Sequence, residues 1–182
     1  MVCMLKIVRS PDPLLNTVCD AASFDDKSLK RLSTQMAQTM YKNNGVGLAA
    51  PQVGVLKRLI VVDCDWPDGV KDPLVLLNPE IIELQGDPVI DYEGCLSVPG
   101  VSAPVSRPPW AHVRYFDLKG EEWEIESDGL LGRCLQHEID HLNGITLFES
   151  CVPTYKLKLL DAYAKARAAG AMPGDVSIES AS

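Results

Sequence analysis

Residues 128 to 144 leave the chain little conformational choice. Leu130, Leu131, Cys134, Leu135, His137 and His141 recur at helical spacing, Ser127 or Asp128 stands where an N-cap belongs, and Asn143-Gly144 supplies a stop. A helix is therefore predicted here, and inside it His137-Glu138-Ile139-Asp140-His141 is an H-E-x-x-H sequence. Residues four apart share a helix face, so both imidazoles can meet one ion. Glu138 is rotated away by one residue and can reach a metal-bound water without displacing a histidine, which suits a general base better than a ligand. The bland alternative is two histidines that only pack or hydrogen-bond, with Glu138 solvated. The rest of the fold is to be arranged around this helix.

At 182 residues the chain fits one domain over its whole length, 1–182. Upstream, Leu29, Leu32, Met36 and Met40 predict a helix over roughly 26 to 42, stopped by Asn43-Asn44-Gly45. Arg58 to Asp63 reads as a strand, and so do Leu74 to Leu77 and Glu80 to Leu84, flanking a break at Asn78-Pro79. Ala111 to Leu118 and Glu122 to Glu126 alternate at period two around Lys119-Gly120, as in an antiparallel hairpin. Four prolines between Ser97 and Pro109 predict an irregular or edge segment there. Pro153 opens a third helix, about 154–169, ended by Gly170 and Pro173, and about 171–182 reads as a flexible tail. The order of helix, strands, helix, helix predicts an α+β fold with antiparallel or mixed sheets.

A catalytic metal site normally takes three protein ligands, so one must come from outside the helix. Cys134 starts about 4.5 Å of helical rise before His137, too far to join an ion that His141 also reaches, and is read as a pocket wall. His112 lies in a predicted strand without a ligand pattern and is read as structural or exposed. Cys95, in Glu93-Gly94-Cys95-Leu96-Ser97, sits where a strand end can present a thiolate; spacing alone leaves it either a ligand or a buried structural thiol. The six cysteines show no C-x-x-C pair and fit a reducing compartment.

Three segments together resemble peptide deformylase: Gly45-Val46-Gly47-Leu48-Ala49-Ala50-Pro51-Gln52-Val53-Gly54, Glu93-Gly94-Cys95-Leu96-Ser97 and Gln136-His137-Glu138-Ile139-Asp140-His141. They occur in the family's order, and the likeness runs loosely from Ile7 to about Phe148. H-E-x-x-H alone is shared with many metallopeptidases, whereas the combination is specific. The resemblance implies that Cys95, His137 and His141 bind one divalent ion, that Glu138 moves protons, and that Gln52 with the backbone N–H of Leu96 stabilises the oxyanion. Taken alone, Gln52 reads as a loop amide and the glycines as turn chemistry.

The family's substrate is a nascent polypeptide beginning with N-formylmethionine, from which formate is released. It would lie extended beside the glycine loop, with Gly47 permitting close approach and Glu93 and Gly94 along the same cleft. Val46, Leu130 and Cys134 are candidate walls for the methionine side chain, though Leu130 and Cys134 read equally as plain core. The resemblance implies Fe2+ for activity, with Zn2+ or Ni2+ as replacements, since Cys and His ligands suit each. Two rivals stay in view: a peptidase of the same motif cutting internal bonds, and a non-catalytic metal-binding module. The first lacks its extended third-histidine pattern, and the second wants four protein ligands where only three convince.

A formal net charge of −8 argues against DNA as a partner. The locally basic third helix, with Lys156, Lys158, Lys165 and Arg167, reads either as a ribosome contact or as a helix docked by Leu157, Leu160, Tyr163 and Ala164 with its lysines solvated. No apolar window suits a membrane and no signal-peptide pattern is seen, so a cytoplasmic location is expected.

Overall fold

A computed structural model describes residues 4–175. Helix α1 (Ser28–Lys42) begins where the Asp26 carboxylate accepts from the Ser28 backbone N–H at 2.9 Å, and buries Leu29, Met36 and Met40. At its end Asn44 takes a φ of 54°, turning the chain into β1 (Gly47–Ala49). Strands β1, β2 (Leu59–Val62), β3 (Leu74–Gln85), β6 (Trp110–Phe116) and β7 (Glu122–Ser127) form one sheet in that order, and β4 (Val89–Gly94) pairs with β5 (Ser102–Arg107) in a second. All strand ladders in both sheets are antiparallel.

The Leu59-Ile60-Val61-Val62 run is apolar throughout because β2 is covered on both faces. Leu59 and Val61 pack with α1, whereas Ile60 and Val62 pack with α2 (Gly129–Leu142) through Leu135, Ile139 and Leu142. Alternation at period two thus serves two cores instead of one core and solvent. A third cluster lies under the two-stranded sheet, where Ala103 and Val105 meet Leu147 and Phe148 of α3 (Leu147–Ser150) and Leu159 and Tyr163 of α4 (Lys156–Ala168). The α+β architecture expected from element order is the one observed, with the histidine helix packed on the larger sheet.

Several local expectations need correction. The break at Asn78-Pro79 does not end a strand: β3 runs through it with a register shift between Leu77 and Glu80. Asn78 adopts φ 48°, and its amide side chain is satisfied by the backbone N–H and C=O of Ala22. Asparagine tolerates this conformation, so the signal read as a stop is a bulge. Neither Ser127 nor Asp128 caps α2 with its side chain. The turn is made by Gly129 at φ 57° and by a Gly132 N–H to Asp128 O bond of 3.0 Å. The short helix α3 was not anticipated, although Thr146 and Glu149 form a reciprocal capping box that the spacing advertises.

Helix α4 docks through only part of the face expected: Tyr163 is buried as expected, Ala164 is exposed, and Leu159 takes the place of Leu157 and Leu160. Leu159 and Tyr163 are buried, whereas Leu157 is 81% exposed and Leu160 44%. Residues 171–175 are not a loose tail: Ala171 N–H donates to Ala166 O, Arg9 donates to Ala171 O at 3.2 Å, and Gly100 N–H donates to Asp175 O at 3.1 Å. The remainder of the expected tail, 176–182, lies outside the described residues.

Candidate metal centre

The site forms where the end of β4 meets the last turns of α2. Beyond Gly94, Cys95 enters a turn closed by Val98 N–H donating to its carbonyl, which sets the thiol against the helix. The ligand-capable atoms of Cys95, His137 and His141 all lie within 4.8 Å of one another. Cys95 Sγ is 3.3 Å from His141 Nε2. His137 Nδ1 is 2.9 Å from Glu93 Oε2, which leaves its Nε2 for an ion.

The donor chemistry fits a divalent cation. Burial opposes charge on His137, but the Cys95 and Glu93 contacts outweigh it and hold the imidazole well above its ordinary pKa. Burial and the nearby His137 and Arg107 push His141 the other way. Two imidazoles and a thiol converging on one point are a donor set that suits a divalent metal ion. Two buried side-chain atoms among the described residues have no protein partner, Glu138 Oε2 and His141 Nδ1. Burial pushes the Glu138 carboxyl up to about 7, against the lowering influence of His137.

Gly47 explains why β1 can lie so near. A Cβ there would stand 2.4 Å from Glu138 Oε1 and 2.7 Å from Cys134 Sγ, so any side chain would displace the carboxylate. Gln52 is fixed in one orientation: its Oε1 accepts from Ala49 N–H at 2.8 Å. The amide nitrogen therefore faces Ser97 Oγ at 3.2 Å and Cys95 Sγ at 3.5 Å.

Behind the centre is a charge network that sequence reading missed. Glu93 accepts two bonds from Arg107, at 2.7 Å from Nε and 3.0 Å from Nη2, and one from Arg133 at 2.8 Å. Arg107 Nη1 also reaches Asp140 at 2.9 Å, and Asp140 accepts from Ser150 Oγ at 3.0 Å. Burial raises the Glu93 pKa, but His137 and Arg107 outweigh it and hold the carboxyl below its usual range. Both Glu93 oxygens are thus engaged by protein partners, and its carboxylate supports His137. Nothing local marks Arg107: it stands in Ser106-Arg107-Pro108, and only the fold brings it to Glu93.

A cleft of about 450 Å³ opens onto the centre. Val46, Gly47, Gly94, Leu96, Leu130 and Cys134 border it, as do Gln52, Glu93 and Glu138. Cys134 lies outside the three-residue cluster: its Sγ is 3.7 Å from Val46 O, and its hydrogen bond with Cys64 and its burial push the thiol well up in pKa. His112 stands apart, paired with Glu124 at 3.0 Å. Unforeseen lining residues are Asp91, Arg133, Asn43, Asn44, Gly174 and Asp175.

Comparison with known proteins agrees with this geometry. The family model described as polypeptide deformylase matches residues 4–156. A peptide deformylase of Bartonella bacilliformis is 45% identical over 144 residues, covering 76% of this chain and 79% of its own. One of Thermodesulfovibrio yellowstonii is 46% identical over 150 residues, covering 82% and 90%. The crystal structure of a peptide deformylase from Synechococcus elongatus, in complex with actinonin, superimposes with a TM-score of 0.83 at 43% identity, covering 90% of this chain and 88% of that one. With the H-E-x-x-H helix, the Cys95 turn and the glycine strand meeting at one cleft, this chain belongs to the polypeptide deformylase family.

Proposed function

We propose that this chain hydrolyses the formyl amide of N-formylmethionine at the start of newly synthesised polypeptides, releasing formate, and that Cys95, His137 and His141 hold the required ion. The observation that carries this reading is the convergence of those three ligand atoms within 4.8 Å beside a buried Glu138 whose Oε2 has no protein partner. The ion, which we take to be Fe2+ with Zn2+ or Ni2+ able to replace it, supplies Lewis acidity for attack on the formyl group.

The chain's own groups divide the remaining work. Glu138, with a carboxyl held near neutrality and Oε2 free, accepts a proton from the attacking water and passes it to the leaving amine. Gln52 Nε2, locked by the Ala49 contact, and the backbone N–H of Leu96 are our candidates for holding the oxygen that gains charge. Gly47 lets the substrate backbone approach Glu138, and Val46, Leu130 and Cys134 offer the methionine side chain an apolar wall. Glu93 and Arg107 hold His137 in place. Such a substrate implies a cytoplasmic enzyme. We also propose a ribosome contact through α4, supported by Leu157 and Leu160 standing exposed among Lys156 and Lys158.

The test is anaerobic formate release from formyl-Met-Ala-Ser by iron-loaded protein, with Glu138→Gln as control. Release that falls by about 10²- to 10⁴-fold in the variant is the expected result. No release at confirmed metal occupancy would refute the assignment.

A further inference from the structure

Residues 171–175, which follow α4, stay on the domain and return to the mouth of the cleft. Gly174 packs so tightly on the end of α1 that a Cβ would lie 2.5 Å from Asn43 O, and its φ is 95°. Asp175 is tied to Gly100, Ala171 to Arg9 and Ala166, and Gly100 itself has no room for a Cβ beside Ala171. Gly174 and Asp175 line the same cleft as Glu138, next to Asn43 and Asn44.

The run from Gly47 back to Asn43 acts as a ruler from the reacting centre. Gly47 abuts Glu138, Gly45 abuts Leu96, and Asn43 abuts Gly174. An extended chain advances about 3.4 Å per residue, so these four steps, shortened by the turn at Asn44, reach at most about 14 Å. A peptide lying beside this turn and the start of β1, with its formyl group at the centre, therefore reaches residues 171–175 within its second to fourth residues, beyond the methionine. Asp175 stands at this end, its carboxylate accepting from Met172 N–H at 2.7 Å, while Asp91 and Arg133 also line the cleft, the latter with its guanidinium on Glu93.

We propose that residues 171–175 form the cleft wall that receives the substrate beyond its first methionine, making the C-terminal segment a determinant of which longer peptides are processed. This rests on the formyl-peptide reading of the cleft. The wall's charge adds a direction: a cationic side chain in the third or fourth position is favoured over an anionic one.

The experiment compares kcat/KM for formyl-Met-Ala, formyl-Met-Ala-Ser-Lys and formyl-Met-Ala-Ser-Glu with the unaltered protein, Gly174→Val and Asp175→Lys. Gly174→Val is expected to lower the tetrapeptide-to-dipeptide ratio. Asp175→Lys is expected to cut the Lys-over-Glu preference by roughly two- to fivefold, the size of one exposed charge contact, which a merely structural role would not move. Parent-like ratios in both variants overturn the proposal. If the unaltered protein releases no formate from any of the three, the reading of function fails instead. Calorimetric affinities of Met-Ala-Ser-Lys and Met-Ala-Ser-Glu, compared across the same variants, then decide the wall without turnover.

Discussion

Replacing Arg107 by Met tests whether the network behind His137 supports both the fold and the metal centre. The substitution removes three hydrogen bonds, two to Glu93 and one to Asp140, from side chains only 8% and 6% exposed at the Arg107–Glu93 pair. Breaking one side of a buried pair costs about 3–5 kcal/mol, mostly by stranding the other charge. Glu93 still keeps Arg133 at 2.8 Å and His137 at 2.9 Å, which argues for the lower end, about 3 kcal/mol. In a domain of this size that lowers Tm by about 6–12 °C. Because Glu93 orients His137, metal affinity should fall by about 10- to 100-fold. Thermal and urea unfolding of the metal-free protein measure the first effect, and chelator competition with zinc the second. A Glu93→Gln/Arg107→Met double variant should be less damaged than the sum of the singles by at least about 1 kcal/mol, since no lone buried carboxylate remains. A Tm within about 2 °C of the parent together with unchanged zinc affinity would refute the reasoning.

Three further expectations follow from the same geometry. Gly47→Ala places a methyl 2.4 Å from Glu138 Oε1, so formate release should fall by about 10²-fold or more while zinc still binds; near-parent turnover would contradict the close approach. Gln52→Leu should lower kcat by about 10²- to 10³-fold with metal content intact, and a change confined to KM would remove Gln52 from oxyanion stabilisation. The bond from Lys57 is the main cause that lowers the Asp26 carboxyl from 3.8 to about 2. A depressed carboxyl stabilises the fold above its unfolded pKa, so this contribution is present above pH 3.8 and is lost as pH falls towards 2. Urea midpoints measured across that window should drop less steeply in Lys57→Met, and parallel acid limbs would rule the pair out as a contributor.

Much of the site was legible because its signals are local. A helix with histidines four apart, the Leu59–Val62 run and the hairpin around Lys119-Gly120 each announce themselves through periodicity. Cys95 was ambiguous by spacing alone, and its place near His141 emerges only when β4 delivers it to α2. Asn78-Pro79 misled because the residues of a stop also make a bulge, and what decides between them is the distant Ala22 backbone. On α4 Tyr163 docks as expected, but its leucine was misjudged because Leu157, Leu159 and Leu160 offer competing stripes, and only the position of Phe148 and Val105 selects Leu159. Arg107 illustrates the general limit: a buried charge is recognisable by its partners, which lie 14 and 33 residues away.

Because β2 is apolar on both faces, burial does not settle its alignment with its neighbours. A slip of one residue would exchange the two cores yet leave each still lined by aliphatic side chains. The tie-breakers are polar and sit at the strand's ends. Arg58 reaches Asn143 at 2.9 Å and its carbonyl accepts from Asn78 N–H, while Asp63 N–H donates to Val46 O and its carboxylate accepts from Tyr41. Since Gly47 faces Val62 across the ladder, those same contacts decide which residue of the glycine strand comes to rest against Glu138. A shift of about 3.4 Å would bring Val46 or Leu48 there, and either side chain would close the space that the carboxylate occupies.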